Sequence, residues 1–317
     1  MGRNGKRPPE YVPLLQFNLR SKLEGGKLRE PGELKAALDA KTRKECLVLV
    51  HGFNNTDSEA AVAYLGFRTR QKEIFSTPDF SGFERRFGDT FWPGDADWWW
   101  FFDKVDFLIY PAAVHTAVRA GRDLANLLWE MPNLERVDFI AHSLGCRVVL
   151  ETLLLLRTRT LPIVGRIVLM AAAVPSEMLE PGGKFFDVVS ALEAEGTHIQ
   201  VLYSEKDWVL HYTFPPGQAL AGGNEGSSRA IGRFGWSPRM PGPHSTGDDR
   251  KIAGALHGDY WGHTKTGSSR EATEAAGRFL SLGNLPRELG NARTLGDAIT
   301  PEPPRQLGIP RPPGDFG

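Results

Sequence analysis

The sequence predicts an α/β fold, with a mostly parallel, doubly wound sheet and helices on both faces. Short apolar runs alternate along the chain with longer segments whose apolar residues repeat at helical spacing, which is typical of parallel strands joined by helices. The runs are almost continuously apolar, as expected of strands that are covered on both faces. We expect one domain over residues 1–282, with about ten flexible residues at its N-terminal end.

Five short apolar runs are the candidates for the main strands. An N-terminal segment, "YVPLLQFNLRS" (residues 11–21), is predicted to add an antiparallel strand at the edge of the sheet. The five runs are "CLVLV" (46–50), "DTFWP" (89–93), "RVDFIA" (136–141), "RIVLMAAAV" (166–174) and "IQVLYS" (199–204).

Four segments are predicted to be helices. The first, "TDSEAAVAYLGFRTRQKEIF", opens with Thr56 or Asp57, both of which are residue types that cap helices. In the second, apolar and small residues repeat at helical spacing over residues 114–128, ahead of Pro132. The other two are "LGCRVVLETLLLLRT" and "SSREATEAAGRFLSL", the latter capped by Ser268 or Ser269.

Two regions have the composition of irregular chain. Residues 283–317 are rich in proline and glycine and poor in periodic apolar residues, which predicts an extended or disordered tail and not a second domain. Glycine, serine and proline also dominate residues 215–247, which we interpret as a long loop near the functional site.

The charge balance gives no electrostatic reason to expect nucleic acid or an anionic membrane as a partner. The 317 residues include 38 Lys plus Arg and 38 Asp plus Glu.

The two cysteines, Cys46 and Cys146, are too few for a disulfide framework and are interpreted as core residues. The N-terminus lacks the apolar region of a signal peptide, and no apolar stretch is long enough to span a membrane, so a cytoplasmic protein is expected. The oligomeric state is not indicated.

One serine lies between a predicted strand and a predicted helix, in "FIAHSLGCRVV" (residues 139–149). A sharp turn that exposes a serine hydroxyl at this point tolerates only small residues two positions before and after the serine. Ala141 and Gly145 satisfy this requirement around Ser143. The pattern predicts Ser143 as a nucleophile, although it also occurs in ordinary strand-to-helix turns.

A second turn follows the first predicted strand, in "LVLVHGFNNT" (residues 47–56). The glycine of its His-Gly pair lets the backbone approach a bound substrate closely. We predict that the backbone amides of Phe53 and Leu144 donate to an oxyanion, because donors that are fixed before reaction stabilise developing charge well. The alternative is a plain strand followed by a glycine-asparagine turn.

These motifs resemble the α/β-hydrolase superfamily. Within it, "HGFNN", "FWPG", "AHSLG", "SEKDWVL" and "RFG" are similar to an uncharacterised bacterial branch that is lipase- or esterase-like, over about Leu47–Leu282. Ala141 stands where the commonest elbow has glycine. The resemblance implies an α/β-hydrolase fold without a large lid domain, and a catalytic serine, acid and histidine in that chain order.

The acid and the histidine then have to lie after Ser143. Asp207 directly follows the last predicted strand and is the favoured acid, with Glu205 and Glu177 as alternatives. The favoured base is His257, in "HGDY", which is similar to the histidine loop of several lipases. His263 is its alternative, and His244 is more remote.

The remaining histidines and aromatic residues have other expected roles. His51 is expected to hold loop backbone by hydrogen bonds, and His142 to point away from Ser143. No metal-ligand spacing is present, so we expect neither a metal nor a cofactor. The aromatic segment 91–107, which includes Trp98, Trp99 and Trp100, could line a pocket, cover the sheet edge, or contact a partner or membrane interface.

The function implied by the resemblance is a serine esterase that acts on a small-molecule or acyl-ester substrate. In this mechanism His257 deprotonates Ser143, Asp207 orients His257, and water hydrolyses the acyl-enzyme. The alternatives are a thioesterase or amidase with the same three residues, and a binding protein of this fold without catalysis.

Overall fold

A computed structural model of the chain describes residues 8–20, 23–24, 27–28, 33–36, 42–53, 55–75, 84–94, 106–212, 214, 229–236 and 249–282. The chain divides into two compact units, Met1–Gly283 and Asn284–Gly317. The second unit lies wholly outside the described residues, as do Trp98–Trp100, His244 and most of the predicted loop 215–247. The predictions for these segments therefore stay predictions.

The described residues contain a main sheet and a small hairpin. Every run predicted as a strand forms one, and its bounds extend the predicted run or shift by a few residues. In chain order the strands are β1 (Leu15–Asn18), β2 (Leu23–Glu24), β3 (Lys27–Leu28), β4 (Glu33–Ala36), β5 (Glu45–Val50), β6 (Phe87–Phe91), β7 (Arg136–His142), β8 (Ile163–Met170), β9 (His198–Tyr203) and β10 (Arg250–Lys251).

The main sheet is parallel except at one edge. Its order is β10-β9-β8-β7-β5-β6-β1-β4, and β2 and β3 form a separate two-stranded sheet. Each neighbouring pair from β10 to β1 is parallel, whereas β4 runs antiparallel to β1. This mostly parallel sheet confirms the predicted fold class, because parallel strands need helical crossovers that cover the faces.

The prediction that the N-terminal segment forms an antiparallel edge strand is wrong. Strand β1 pairs in parallel with β6, where Phe17 lies opposite Thr90, and β4 takes the edge instead. Leu15 and Phe17 are fully buried. By contrast, Glu33 and Lys35 of β4 are exposed, and charged side chains suit a strand with one unpaired side.

The five longer helices form two groups whose members pack against each other. One group is α1 with α7, and the other joins α2 to α3 and α3 to α4. Both faces of the central strands β5 and β7 are buried, as expected of a parallel sheet that is covered on both sides. The helices are α1 (Asp57–Phe75), α2 (Asp106–Trp129), α3 (Gly145–Leu156), α4 (Phe186–Ala194), α5 (Trp208–Tyr212), α6 (Ile231–Phe234) and α7 (Gly267–Phe279).

Two helix starts can be compared with their predicted caps. Helix α1 begins after Thr56, whose backbone amide donates to Glu59 Oε2 at 2.8 Å while its hydroxyl accepts from the Glu59 amide at 3.3 Å. The cap of α7 is Thr266, not Ser268 or Ser269, and its Oγ1 accepts from the Ser269 amide at 3.1 Å. Ser268 fails as the cap because it lies inside the first turn, with its hydroxyl directed to Asp259.

A buried ion pair holds α1 against the sheet. Asp89 of β6 is fully buried and accepts hydrogen bonds from Arg68 of α1 and from the hydroxyl of Tyr11. Removing one partner of such a pair leaves an uncompensated buried charge, which costs several kcal/mol, roughly 3–5. The two cysteines are buried and unpaired, as expected of core residues.

The carboxyl ends of β5, β7 and β9 lie along one edge of the parallel sheet, and the chain turns there into the segments that carry the predicted site residues. Among the residues with described positions, no helix is both long and apolar enough to cross a membrane.

Candidate active site

Ser143 lies on a sharp turn between β7 and α3. Its φ of 54° is in the left-handed region, which a non-glycine residue adopts only where the surroundings hold it. Its backbone is tied to the end of β8, since its amide donates to the Met170 carbonyl at 2.9 Å and its carbonyl accepts from the Ala173 amide at 3.1 Å. A side chain at Gly145 would collide with the His51 carbonyl, so the turn requires glycine there.

The structure brings Ser143, His257 and Asp207 together. His257 Nε2 lies 2.9 Å from Ser143 Oγ, and His257 Nδ1 lies 2.7 Å from Asp207 Oδ2. Ser143 is buried and the His257 side chain is 17% exposed, so the pair is largely shielded from solvent. This relay can move a proton from the serine to a histidine whose other nitrogen is held by a carboxylate.

Asp207 is fixed by its position between β9 and α5. It is fully buried, and both of its carboxylate oxygens have partners. Oδ2 binds His257, while Oδ1 accepts from the Leu210 amide at 3.0 Å in the first turn of α5. The carboxylate therefore cannot rotate without losing a buried hydrogen bond.

His257 begins a 3-10 helix, His257–Trp261, which we call the histidine turn. Asp259 organises it by accepting from the Leu256 amide at 3.0 Å, from Thr264 Oγ1 at 3.0 Å and from Ser268 Oγ at 3.1 Å. Burial by itself raises the pKa of Asp259, but these hydrogen bonds outweigh it and hold the pKa below its usual value. No role was predicted for Asp259, although an acid three residues after the N-cap position, here Leu256, is a capping signal.

The HGF turn, His51–Phe53, lies against Ser143. A Cβ added at Gly52 would lie 2.9 Å from Ser143 Cβ and 2.9 Å from His142 Nδ1, so only glycine fits. Within the described part of the chain, neither the Phe53 amide nor the Leu144 amide donates a hydrogen bond to another protein group. Amides without an acceptor in this part of the chain, one directly after Ser143 and one in the turn packed against it, have the chemistry of an anion site.

His51 is neutral and stabilises the HGF turn by hydrogen bonds. The Trp92 amide donates to His51 Nε2 at 3.3 Å, so the ring proton is on Nδ1, which donates to the Gly52 carbonyl at 2.8 Å. Trp92 Nε1 also donates to the His51 carbonyl at 2.8 Å. Complete burial, with a smaller contribution from the Arg20 charge, lowers the pKa of His51 to about 3.

Tyr64 of α1 connects the HGF turn to the histidine turn. Its hydroxyl accepts from the His51 amide at 2.8 Å and donates to the Thr90 carbonyl at 2.6 Å. Its ring contacts Trp261 of the histidine turn edge-on, at 5.3 Å between centroids. No signal in the sequence identifies Tyr64, because it lies on the buried face of α1 like an ordinary core residue.

The alternative site residues lie elsewhere. Glu205 pairs with Lys251 at 2.9 Å, and the pKa of its carboxyl is lowered first by the hydrogen bond from that lysine. Glu177 lies in the segment Ser176–Leu179, where Ser176 Oγ donates to it at 3.3 Å. His263 is exposed and, within the described residues, makes no hydrogen bond. None of the three contacts Ser143 or His257 by a hydrogen bond in this part of the chain.

Comparison with known proteins gives one family match. A family model described as an alpha/beta hydrolase of unknown function (DUF900) matches residues 28–213, which include Ser143 and Asp207. No curated protein matches the sequence.

Two solved structures illustrate the structural likenesses. The chain is similar to a hyperthermophilic esterase from the archaeon Pyrobaculum calidifontis, with 15% identity over 77% of each chain and a TM-score of 0.38. It is also similar to carboxyl esterase 2 from the mycorrhizal fungus Tuber melanosporum, with 13% identity over 77% of this chain and 80% of that one, and a TM-score of 0.39. The family assignment rests on the family model and not on these likenesses.

Proposed function

The chain belongs to the alpha/beta-hydrolase family of unknown function DUF900, and on that basis we propose that it is a serine hydrolase that cleaves carboxylic esters. The observation that carries the proposal is the relay in which Ser143 Oγ, both ring nitrogens of His257 and Asp207 Oδ2 are joined by contacts of 2.9 and 2.7 Å. A relay of this kind activates a serine hydroxyl, which is otherwise a weak nucleophile.

In the first half of the proposed reaction, Ser143 Oγ attacks the ester carbonyl carbon while His257 Nε2 takes the hydroxyl proton. The negative charge that develops on the carbonyl oxygen is stabilised by the free amides of Phe53 and Leu144. Asp207 stabilises the imidazolium without itself becoming protonated. Collapse of the tetrahedral intermediate breaks the ester C–O bond. The leaving oxygen takes the proton from His257 Nε2, and the product departs as the alcohol.

In the second half, water hydrolyses the acyl-enzyme. His257 Nε2 now takes a proton from the water whose oxygen attacks the acyl carbon, and the same two amides stabilise the new oxyanion. Collapse returns the proton to Ser143 Oγ and releases the carboxylic acid. The steps use only groups of this chain and one water, so the proposal needs no cofactor.

We extend the proposal to the class of substrate and the compartment. The neutral charge balance favours a small-molecule or acyl ester over a polyanion as substrate, and the compartment that we propose is the cytoplasm. Neither a nucleic acid nor a membrane is part of the proposal.

The test is labelling with a serine-directed fluorophosphonate, read by mass spectrometry of the peptide that contains residue 143. We expect the wild type to be labelled on Ser143 and Ser143→Ala to remain unlabelled. Ser190→Ala is the matched control, because Ser190 lies on α4, away from the site, and should leave labelling unchanged. An unlabelled wild type, or equal labelling of Ser143→Ala, would contradict the proposal.

The bond that is cleaved is tested with matched acyl donors. Short p-nitrophenyl esters, the corresponding thioesters and the corresponding anilides are compared by kcat/KM with the same acyl chain. We expect the esters to be cleaved fastest. Labelling of Ser143 together with preference for the thioester or anilide would keep the nucleophile and change the class of substrate.

A further inference from the structure

His142 connects the nucleophile to the backbone of the base. It directly precedes Ser143, is 5% exposed, and its Nε2 lies 2.7 Å from the carbonyl oxygen of His257. Its ring also lies close to that of His257, with centroids 4.8 Å apart. His142 and Ser143, which are adjacent in the chain, thus both contact His257. Ser143 contacts its side chain, and His142 contacts its main chain.

The partner of His142 determines its protonation. A carbonyl oxygen can only accept, so Nε2 carries the proton and donates it. Nδ1 is buried and has no hydrogen-bond partner among the described residues, and the Gly52 backbone lies against it. Protonation there would place a second N–H where nothing accepts it, at the cost of an unsatisfied buried donor.

The surroundings also disfavour a charged His142. Burial, followed by the charges that His257, His263 and His51 carry when protonated, holds the pKa of His142 well below its usual range. These three groups come from the histidine turn, the segment after it and the HGF turn. The rings of Tyr260 and Trp261, which also lie close to the His142 ring, carry no charge.

We propose that His142 is a positioning residue that stays neutral and holds the main chain of His257 in place through its Nε2–H. This inference rests on the proposed function, in which His257 is the base. This hydrogen bond fixes the backbone of His257 relative to Ser143, and it involves none of the atoms that react. The distance between Ser143 Oγ and His257 Nε2 is therefore maintained while the proton moves between them.

Two variants separate the hydrogen bond from the volume of the ring. His142→Leu removes the donor, and we expect kcat to fall by about ten- to a hundredfold with KM within about twofold, because a small misplacement of a reacting group has effects of this size. In His142→Gln the side-chain amide can donate to the same carbonyl, and we expect kcat to return to within about threefold of the wild type. His263→Gln is the control and should leave both constants unchanged.

A second measurement does not depend on hydrolysis. In the wild type labelled with ¹⁵N-histidine, NMR should show His142 as the neutral Nε2–H tautomer between about pH 5 and 8, the range in which an unperturbed histidine changes charge. The low-field Nδ1–H signal of His257, which reports its bond to Asp207, should persist in His142→Gln and weaken in His142→Leu.

The outcomes distinguish this inference from the proposed function. An inactive wild type that is not labelled by the fluorophosphonate but shows the expected NMR signals overturns the esterase and keeps the positioning role. A His142 that titrates in this range, or that carries its proton on Nδ1, overturns the positioning role whatever the activity. Equal loss of kcat in the Leu and Gln variants also overturns it.

Discussion

Gly52 and Ser143 are in contact across the site, and a Cβ added to Gly52 would lie 2.9 Å from the Cβ of Ser143. The contact joins the end of β5 to the end of β7, which pair in parallel along their length. It places the backbone of the HGF turn beside the serine hydroxyl. The position of the predicted oxyanion donors therefore depends on a residue that has no side chain.

Gly52→Ala should lower kcat/KM by about a hundredfold, because the added methyl group forces apart Ser143 and the HGF turn, and a displacement of about 1 Å at a reacting group costs this much. Steady-state kinetics on a p-nitrophenyl ester measure the effect. Gly267→Ala is the control, since an added Cβ there meets no atom within 4 Å. A Gly52→Ala enzyme with wild-type kinetics would show that the turn is not close to the reacting atoms.

Asp207→Asn should reduce kcat by about four orders of magnitude with little change in fold. The Asn oxygen can still accept from the Leu210 amide, so its NH₂ would face His257 Nδ1 and force the proton of the ring onto Nε2. That nitrogen could then no longer accept from Ser143. Glu205→Gln is the matched control and should keep its activity, and the reverse pattern would reassign the acid to Glu205.

His257→Ala should abolish hydrolysis of a short p-nitrophenyl ester, whereas His263→Ala should keep most of it. His257 is the histidine that lies within 2.9 Å of Ser143 Oγ, and His263 is exposed without a hydrogen bond in the described residues. Rates are compared at equal protein concentration after circular dichroism has shown that both variants are folded. Retained activity in His257→Ala would assign the base elsewhere.

Asp259→Asn should destabilise the protein most at neutral pH. The pKa of Asp259 is lower in the folded protein than in the unfolded chain, so its contribution to stability is fully present above the unfolded pKa, about 3.9, and is lost as the pH falls through the folded value. The difference in free energy of unfolding between wild type and variant, measured in urea, should therefore shrink from pH 7 to below about pH 4. A difference that grows on acidification would contradict the assigned hydrogen bonds.

Local patterns predicted much of the fold. The runs that became β5 and β7 are buried on both faces, and such burial requires nearly continuous apolar residues that can be recognised in the sequence. The family match confirms the resemblance to α/β hydrolases. The direction of β1 could not be predicted in the same way, because alternating Leu15 and Phe17 fit a parallel or an antiparallel neighbour equally well.

In the site, too, residues within local motifs could be predicted, whereas contacts between segments far apart in the chain could not. Ser143, Asp207 and His257 each follow a local motif, and the structure brings them together, while their catalytic roles stay predictions. The parts that the sequence analysis missed are contacts between distant segments, such as the bond from His142 to the His257 carbonyl. The Asp259 hydrogen bonds are local, yet their pattern was recognisable only once the start of the histidine turn was known.

The left-handed backbone conformation of Ser143 lowers the stability of the fold but places the hydroxyl that the proposed reaction needs. A serine in this conformation costs about 1–3 kcal/mol that a glycine would not, since glycine adopts positive φ freely. Selection for stability alone would thus favour glycine at position 143. If Ser143 carries out the proposed hydrolysis, the protein gains activity from this turn at the cost of some stability.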